Sequence, residues 1–403
     1  MDRVRVVHVI TRFDKGGSAE NTFLTVTGLN PARYETYLLA GSDGQDTAAA
    51  VSTPSAESAA AEENMARVQA AGVKTFIVPE LVRPVAPLRD LRAFLRIRGL
   101  IRRLAPQIVH THTSKAGIIG RLAAFSAGVP VVVHTPHGHV FWGYFGAVAS
   151  RFFITLEKSA SRLTDRLIML TGQEKADHLR YRIAPPDKFV VIHSGVCLEP
   201  FLQITIADRR PDSDPAFPPD SFVIGTIGRL TAIKGQRYLL EAAAGLLREI
   251  PELICIIVGE GELRRELAAR AASLGMGERA FFPGWRRDVP SYMAALDLFV
   301  MPSLNEGMGR VVVEAMAAGR AVIASDVGGL RDLVVHGENG LLVPPGNAAA
   351  LAAAIRTLYR DPKRRRIMGQ NGRMKAPAFS AAAMIKKIDE LYMNLLREKH
   401  VCR

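Results

Sequence analysis

The sequence predicts two doubly wound α/β domains of similar size, joined by a linker and facing each other across a cleft. Three observations carry this. Short apolar runs alternate with helical patterns along all 403 residues, a length that suits two or three domains. Many of those runs are unbroken in Val and Ile, as strands buried on both faces of a parallel sheet are. Residues 198–221 are rich in Pro and Asp and have no clean period. The domains are therefore expected at residues 1–197 and 222–375, with 198–221 as linker.

The first half offers the strands "VRVVHVI", "TFIVP", "IVHTHT", "PVVVHT", "RLIML" and "FVVIHSG". The second offers "FVIGTIG", "ICIIVGEG", "AFFPG", "LFVMPS", "AVIASD" and "GLLVPP". Helical patterns between them imply βαβ units. Residues 45–64 are low in complexity and read as a loop. The tail, 376–403, places Met384, Ile388, Leu391 and Leu395 at helical spacing, and this terminal helix could return to the N-terminal domain.

Composition sets limits. The three cysteines, Cys197, Cys255 and Cys402, form no CxxC pair, which fits a reducing compartment and argues against a zinc ribbon. No apolar run reaches the length of a membrane span, and the N-terminal apolar stretch is too short for a signal peptide, so a cytoplasmic protein is expected. Net charge is +13, and residues 91–156 hold eight Lys or Arg with no Asp or Glu. Such a segment suits an anionic partner, or a solvated face balanced elsewhere.

In open α/β sheets, ligands sit outside the carboxyl ends of the strands. There the second domain carries "GRLTAIKG", with Arg229 and Lys234 between Gly228 and Gly235. Glycines allow close approach of a ligand, and the two cations suit a diphosphate, a planar fork beside a point charge. The order of Lys and Gly departs from the GxxxxGK[ST] phosphate loop. Further on, "SLNEGMGRVVVEAMAAG" sets Glu306 and Glu314 eight apart, with Gly307, Met308 and Gly309 before a helical run. Amides at a helix start attract anions. One to two turns into that helix, Glu314 could accept hydroxyl hydrogens from a ribose. Glu306 would face another polyol, or serve only as an acid at the helix start.

These stretches, with "VGEGELRREL", "FPGWRRDVPSYMAALDLFVMPS" and "VIASDVGGLRDLVVHGENGLLVPPGN", resemble the donor half of glycosyltransferase family 4, the retaining enzymes of GT-B fold, across nearly all of 222–347. "DKGGSAEN" is similar to the family's N-terminal glycine loop. "HTHTSKAGIIGRLAA" and "HTPHGHVFWGYF" resemble enzymes that build capsular and exopolysaccharide repeat units. The resemblance implies two Rossmann-like domains and a nucleotide-sugar donor, of which a UDP-sugar is the expected kind. It also implies a lipid-linked saccharide acceptor.

It further implies roles. Arg229 and Lys234 would hold the donor diphosphate and Glu314 the ribose. Glu306, with the amides near Met308 and Gly309, would meet the donor sugar and phosphate. Gly16 and Gly17 would lie against the diphosphate, His137 beside the transferred sugar, and Trp285 and Arg286 where the base packs. His112, Ser114, Lys115 and His139 are the implied acceptor contacts. Arg310 departs from the apolar residue common in the family, which bears on the detail of the sugar contacts.

With fixed cations and amides to receive charge on the leaving phosphate, no metal or other cofactor is expected. His110, His112, His134, His137 and His139 invite a zinc site, but residues 91–156 supply no carboxylate or cysteine. A dinucleotide fold fails because the third glycine of GxGxxG falls at Arg264. Nucleic-acid binding lacks a reader motif and aromatic interleaving. A GT-B epimerase acting on a nucleotide sugar is the nearest enzymatic alternative. Finally, "PLRDLRAFLRIRGLIRRL" reads as an amphipathic helix. Leu88, Leu91, Leu95 and Leu104 are expected to dock on the protein, leaving Arg89, Arg92, Arg96 and Arg103 to meet an anionic membrane at its inner, cytoplasmic face.

Overall fold

The structure, a computed structural model, describes residues 3–13, 16–42, 56–138, 147–204, 217–218 and 220–401. The chain forms two compact units, Met1–Gly195 together with Ala381–Arg403, and Val196–Ser380.

The first unit is a parallel seven-stranded sheet. Its strands are β1 (Val4–Ile10), β2 (Tyr34–Gly41), β3 (Lys74–Val78), β4 (Ile108–His112), β5 (Val131–Thr135), β6 (Arg166–Met169) and β7 (Phe189–Val191), in the order β3-β2-β1-β4-β5-β6-β7. Every position of β4 and β5 is buried, as expected of Val/Ile-rich strands with helices on both faces. On one face, Ala93, Ile97 and Ile101 of the helix Pro87–Leu104 share a core with Ala116, Ala123 and Ala124 of the helix Ser114–Ser126. On the other, the helix Ala381–Glu398 packs Met384, Ile388, Tyr392 and Leu395 against Val4, Val6, Ile108 and Val133. Asp389 fixes its place, accepting from Tyr34 Oη at 2.6 Å and Arg33 Nη1 at 2.7 Å. The terminal helix thus belongs to the first unit.

The second unit is a parallel six-stranded sheet of β8 (Phe222–Ile227), β9 (Leu253–Val258), β10 (Ala280–Gly284), β11 (Leu298–Met301), β12 (Ala321–Ser325) and β13 (Gly340–Val343), ordered β10-β9-β8-β11-β12-β13. All six match the runs read from the sequence.

Several expectations are corrected. The unit boundary falls after Gly195. Leu198, Phe201, Ile204 and Phe217 pack with Met293, Val312 and Met316, so the described ends of the expected linker belong to the second unit's core. Residues 205–216 lie outside the described residues. Ala376 and Phe379 also pack there, and the terminal helix begins only at Ala381. The stretch read as a loop at 45–64 enters the helix Ala56–Ala70, whose Ala and Glu are strong helix formers.

The helix Pro87–Leu104 is turned relative to expectation. Leu88, Leu91 and Leu95 are exposed, at 76%, 55% and 54%, while Leu104 packs inward. At 100° per residue, Leu88, Leu91, Arg92, Leu95, Arg96, Arg102 and Arg103 share one outward arc and Leu104 lies opposite. The basic segment is partly balanced within the unit. Arg121 is wholly buried and grips Glu157 through two bonds, 2.8 and 2.9 Å. Lys115 pairs with Asp90 at 2.5 Å and Arg96 with Glu80 at 3.1 Å. Each of these acids lies just outside the acid-free window or in a neighbouring loop.

Candidate active site

In the second sheet the strand order reverses between β8 and β11, and the loops leaving their carboxyl ends meet. Gly235 makes this possible. Its φ is 66°, and an added Cβ would lie 2.1 Å from the carbonyl oxygen of Pro302. The loop after β8 thereby lies against the one after β11. Lys234 Nζ donates to Glu306 Oε2 at 2.5 Å, and Ser303 Oγ donates to the same oxygen at 3.1 Å. Glu306 is nearly enclosed, its side chain 11% exposed. Residues expected to serve phosphate and sugar separately are therefore an ion pair, 72 residues apart in sequence. Gln236 Nε2 holds the Arg229 carbonyl at 2.9 Å, while the exposed Arg229 guanidinium has no side-chain partner among the described residues.

The Glu306 loop is pinned by the Gly329 amide, which donates to the carbonyls of Glu306 and Gly307. Gly309, with φ 74°, caps the helix Arg310–Ala317. The amides of Gly307, Met308 and Gly309 donate to no partner among the described residues, the arrangement of an anion-binding helix start. Arg310 is the helix's first residue, and Glu314 sits half-buried in its second turn. Trp285 and Arg286 follow β10, at the sheet edge and two strands from β8. Trp285 is exposed and lies beneath Arg287, and Arg286 lies over Tyr292. The structure brings Lys234, Ser303 and Glu306 together and does not join Trp285 or Arg286 to them.

The first sheet reverses between β1 and β4. Gly16 caps the helix Gly17–Gly28, which follows β1, and among the described residues nothing lies within 4 Å of where either glycine's side chain would be. Ser114 starts the helix after β4, behind Thr113 at φ 63°. Of the expected acceptor contacts, His112 is fully buried within a histidine cluster. Lys115 is committed to Asp90 and the Pro84 carbonyl. His139 lies outside the described residues.

The cluster includes a member not evident in the sequence, His8, whose place beside His110 depends on β1 and β4 being neighbours. Register pairs His8 with His110, and alternation puts His112 on the same face. His8 Nδ1 and His112 Nε2 lie 3.0 Å apart, as do His112 Nδ1 and His137 Nε2. His110 bonds Tyr392 Oη at 2.6 Å and Thr135 Oγ1 at 2.8 Å. Burial pushes His8 and His137 down to about 3 and His110, His112 and His134 well below the ordinary 6.5, so all five are neutral near pH 7. Nitrogens of His8, His110 and His112 lie within 4.8 Å of one another, as metal ligands would. Among the described residues no carboxylate joins them, and hydrogen bonds to one another and to His137, Tyr392 and Thr135 engage five of their six ring nitrogens. His137 has φ 58°, and Glu174 accepts the next amide, of Gly138, at 2.9 Å. Burial pushes the Glu174 carboxyl up to about 7, against bonds from the Leu170 and Gly138 amides.

Comparison with known proteins agrees with this anatomy. The family model "Glycosyltransferase Family 4" matches residues 15–200, and "Glycosyl transferases group 1" matches 209–375. The UDP-Gal:alpha-D-GlcNAc-diphosphoundecaprenol alpha-1,3-galactosyltransferase of Escherichia coli is 33% identical over 81% of this chain and 85% of its own. The capsular polysaccharide biosynthesis glycosyltransferase CapM of Staphylococcus aureus is 26% identical over 80% and 85%. Among solved structures, Anabaena Alr3699/HepE in complex with UDP superposes with a TM-score of 0.77 at 22% identity, covering 97% of this chain and 100% of its own. Two parallel Rossmann-like sheets, both family models and a relative at one-third identity lead to one conclusion: the chain belongs to the family 4, group 1 glycosyltransferases of GT-B fold.

Proposed function

We propose that this glycosyltransferase is retaining and metal-independent, and moves a sugar from a UDP-sugar to a lipid-linked saccharide acceptor in cell-surface polysaccharide biosynthesis. The observation that carries the reading is the convergence of Lys234, Ser303 and Glu306 beside the free amides of Gly307–Gly309, at the reversal point of the second sheet. A nucleotide diphosphate needs such a set. As the anomeric C–O bond breaks, its electron pair passes to the β-phosphate oxygen, the acceptor hydroxyl oxygen bonds the anomeric carbon on the same face, and the hydroxyl proton passes to the leaving diphosphate. Arg229, Lys234 and the amides receive that charge without reorganising. Glu306 keeps the Lys234 side chain extended before the donor arrives and then meets the sugar. Glu314 accepts the ribose hydroxyls, and Trp285 and Arg286 are assigned to the base. In the first unit, Gly16 and Gly17 are assigned to the diphosphate and His137 to the transferred sugar.

Two relatives support the acceptor class, one named for a diphosphoundecaprenol-linked sugar and one for capsule synthesis. The outward arc of the helix Pro87–Leu104 supports contact with an anionic bilayer. Its exposed leucines would enter the acyl boundary beside Arg92, Arg96 and Arg103, with Arg89 nearer the protein. Among the described residues no helix is long and apolar enough to cross a membrane. A thermal-shift screen of nucleotides tests the donor. Ligand at about 100 times its dissociation constant stabilises by about 2.7 kcal/mol. UDP is expected to stand out over ADP and GDP, and equal shifts for all three would contradict the choice of base.

A further inference from the structure

Gln236 is the first residue of the helix Gln236–Leu246, directly after Gly235, and it is 3% exposed. Its Nε2 lies 2.9 Å from the carbonyl oxygen of Arg229. A carbonyl oxygen only accepts, so the side-chain amide must turn its NH2 toward Arg229 and its own oxygen away. That oxygen is buried and has no partner among the described residues. The bond to Arg229 alone therefore sets the orientation. A buried polar atom without a partner costs stability, and an apolar side chain would avoid that cost. What an apolar side chain would lack is the bond to Arg229.

That bond crosses the turn that carries both cations. One half of the turn is tied to β9 and the loop after it. Gly228 N–H donates to the Val258 carbonyl, Leu230 N–H to that of Glu260, and Leu263 N–H back to that of Leu230. This half has no slack, since an added Cβ on Gly261 would lie 2.3 Å from the Leu230 carbonyl oxygen. The other half is tied to the loop after β11, where Leu304 N–H donates to the Ile233 carbonyl and Lys234 grips Glu306. Backbone bonds from Thr231 N–H to Arg229 and from Lys234 N–H to Thr231 run between the halves. Gln236 adds a side-chain bond that joins the helix start, just past Lys234, back to Arg229. The backbone of Arg229 is thus held while the residue itself stays exposed.

We propose that Gln236 is a positioning residue that sets the separation of Arg229 and Lys234, so that the two cations meet one diphosphate together. The inference rests on the reading of Arg229 and Lys234 as the diphosphate site, and it lies wholly within the second unit. A long arginine side chain reaches a phosphate from many backbone placements. Holding its backbone beforehand reduces the freedom lost on binding, which raises affinity without a new contact. Gln236 itself is buried and acts only through Arg229.

The test is isothermal titration of the full chain at fixed salt with UDP and with UMP, which lacks the outer phosphate. Gln236→Met keeps the volume and removes the donor. Gln236→Asn keeps the amide on a stem too short to reach, and it carries the same measurement if the methionine variant does not fold. Either variant is expected to weaken UDP about fivefold and UMP less than about twofold, the loss of one hydrogen bond felt only through the outer phosphate. The melting temperature is expected to stay within a few degrees of wild type. In an Arg229→Ala background the same substitution is expected to cost UDP less than about twofold more, because the group it positions is gone. The inference is overturned if UDP affinity is unchanged, if UDP and UMP weaken equally, or if the full loss persists in the Arg229→Ala background. Two results overturn the diphosphate reading instead: wild type binding UDP no tighter than UMP, or Arg229→Ala binding UDP as wild type does.

Discussion

The Lys234–Glu306 pair makes opposite demands on nucleotide and sugar, which mutation can separate. On the proposed assignment, Lys234→Ala loses a charge-assisted bond to phosphate, worth about 1.5–3 kcal/mol, or roughly tenfold to over a hundredfold in affinity. A second loss follows from the geometry. Glu306 stays in place, bonded to Ser303 and 11% exposed, and its carboxylate now faces the diphosphate uncompensated. Two charges about 5 Å apart at an effective dielectric of about 20 repel by about 3 kcal/mol, an upper bound at this partly open site. Glu306→Gln acts the other way. It keeps a side chain for Ser303, removes the repulsion and frees Lys234 from its 2.5 Å partner. UDP should bind Glu306→Gln as well as or better than wild type, while turnover falls. The double variant should regain about tenfold of the affinity lost in Lys234→Ala, a coupling within the usual range for residues in contact. Glu314→Gln should weaken UDP and UDP-sugar alike. Isothermal titration with UDP at fixed salt, alongside initial rates, measures all of this. The division of labour fails if Glu306→Gln weakens UDP binding as much as Glu314→Gln does, or if Lys234→Ala leaves affinity unchanged.

On the proposed mechanism fixed cations take the place of a metal, so EDTA should leave the rate within about twofold, and strict dependence on magnesium or manganese would contradict it. The protein should sediment with liposomes of anionic lipid at low salt and be only partly released by high salt. Arg92, Arg96 and Arg103→Gln should remove the salt-sensitive part, about 1 kcal/mol each, and Leu88, Leu91 and Leu95→Ser the rest. Binding that ignores both sets would refute this surface. Stability should fall on acidification from pH 7 to 5. Histidines whose folded pKa lies near 3 stabilise above their unfolded value of 6.5 and lose that contribution as pH drops. At pH 5 the loss is about 2 kcal/mol for each of His8 and His137, by 1.36 kcal/mol per unit. Glu174, raised to about 7, runs the opposite way and offsets about 2 kcal/mol of the roughly 4 kcal/mol lost at His8 and His137 together, so a net loss remains. A melting temperature that holds or rises between pH 7 and 5 would contradict this.

Legibility in the sequence followed the physics of each element. The Val/Ile strands of the second unit were all visible because burial on both faces demands continuous apolar runs. β2 escaped because its Tyr34-Glu35-Thr36-Tyr37 start mixes polar and aromatic residues, and the partly buried Glu35 is met by Lys74 at the sheet edge. The Arg229, Lys234, Glu306 and Glu314 pattern was legible as a set. That Lys234 and Glu306 would bond each other was not, since it depends on β8 and β11 being neighbours. His8 was hidden for the same reason, its partner lying 104 residues away. On the helix Pro87–Leu104, hydrophobicity alone favoured the leucines as the docked face. The small Ala93 with Ile97 and Ile101 docks instead, allowing close approach to the neighbouring helix and sheet.

The most direct test is proton NMR of the anomeric signal during reaction of an α-linked UDP-sugar with a lipid-diphosphate saccharide, in EDTA, with a second sample lacking acceptor. An α-linked product in the first sample and intact UDP-sugar in the second are expected. A β-linked product would contradict retention, and conversion of the UDP-sugar to its epimer without acceptor would contradict transfer itself.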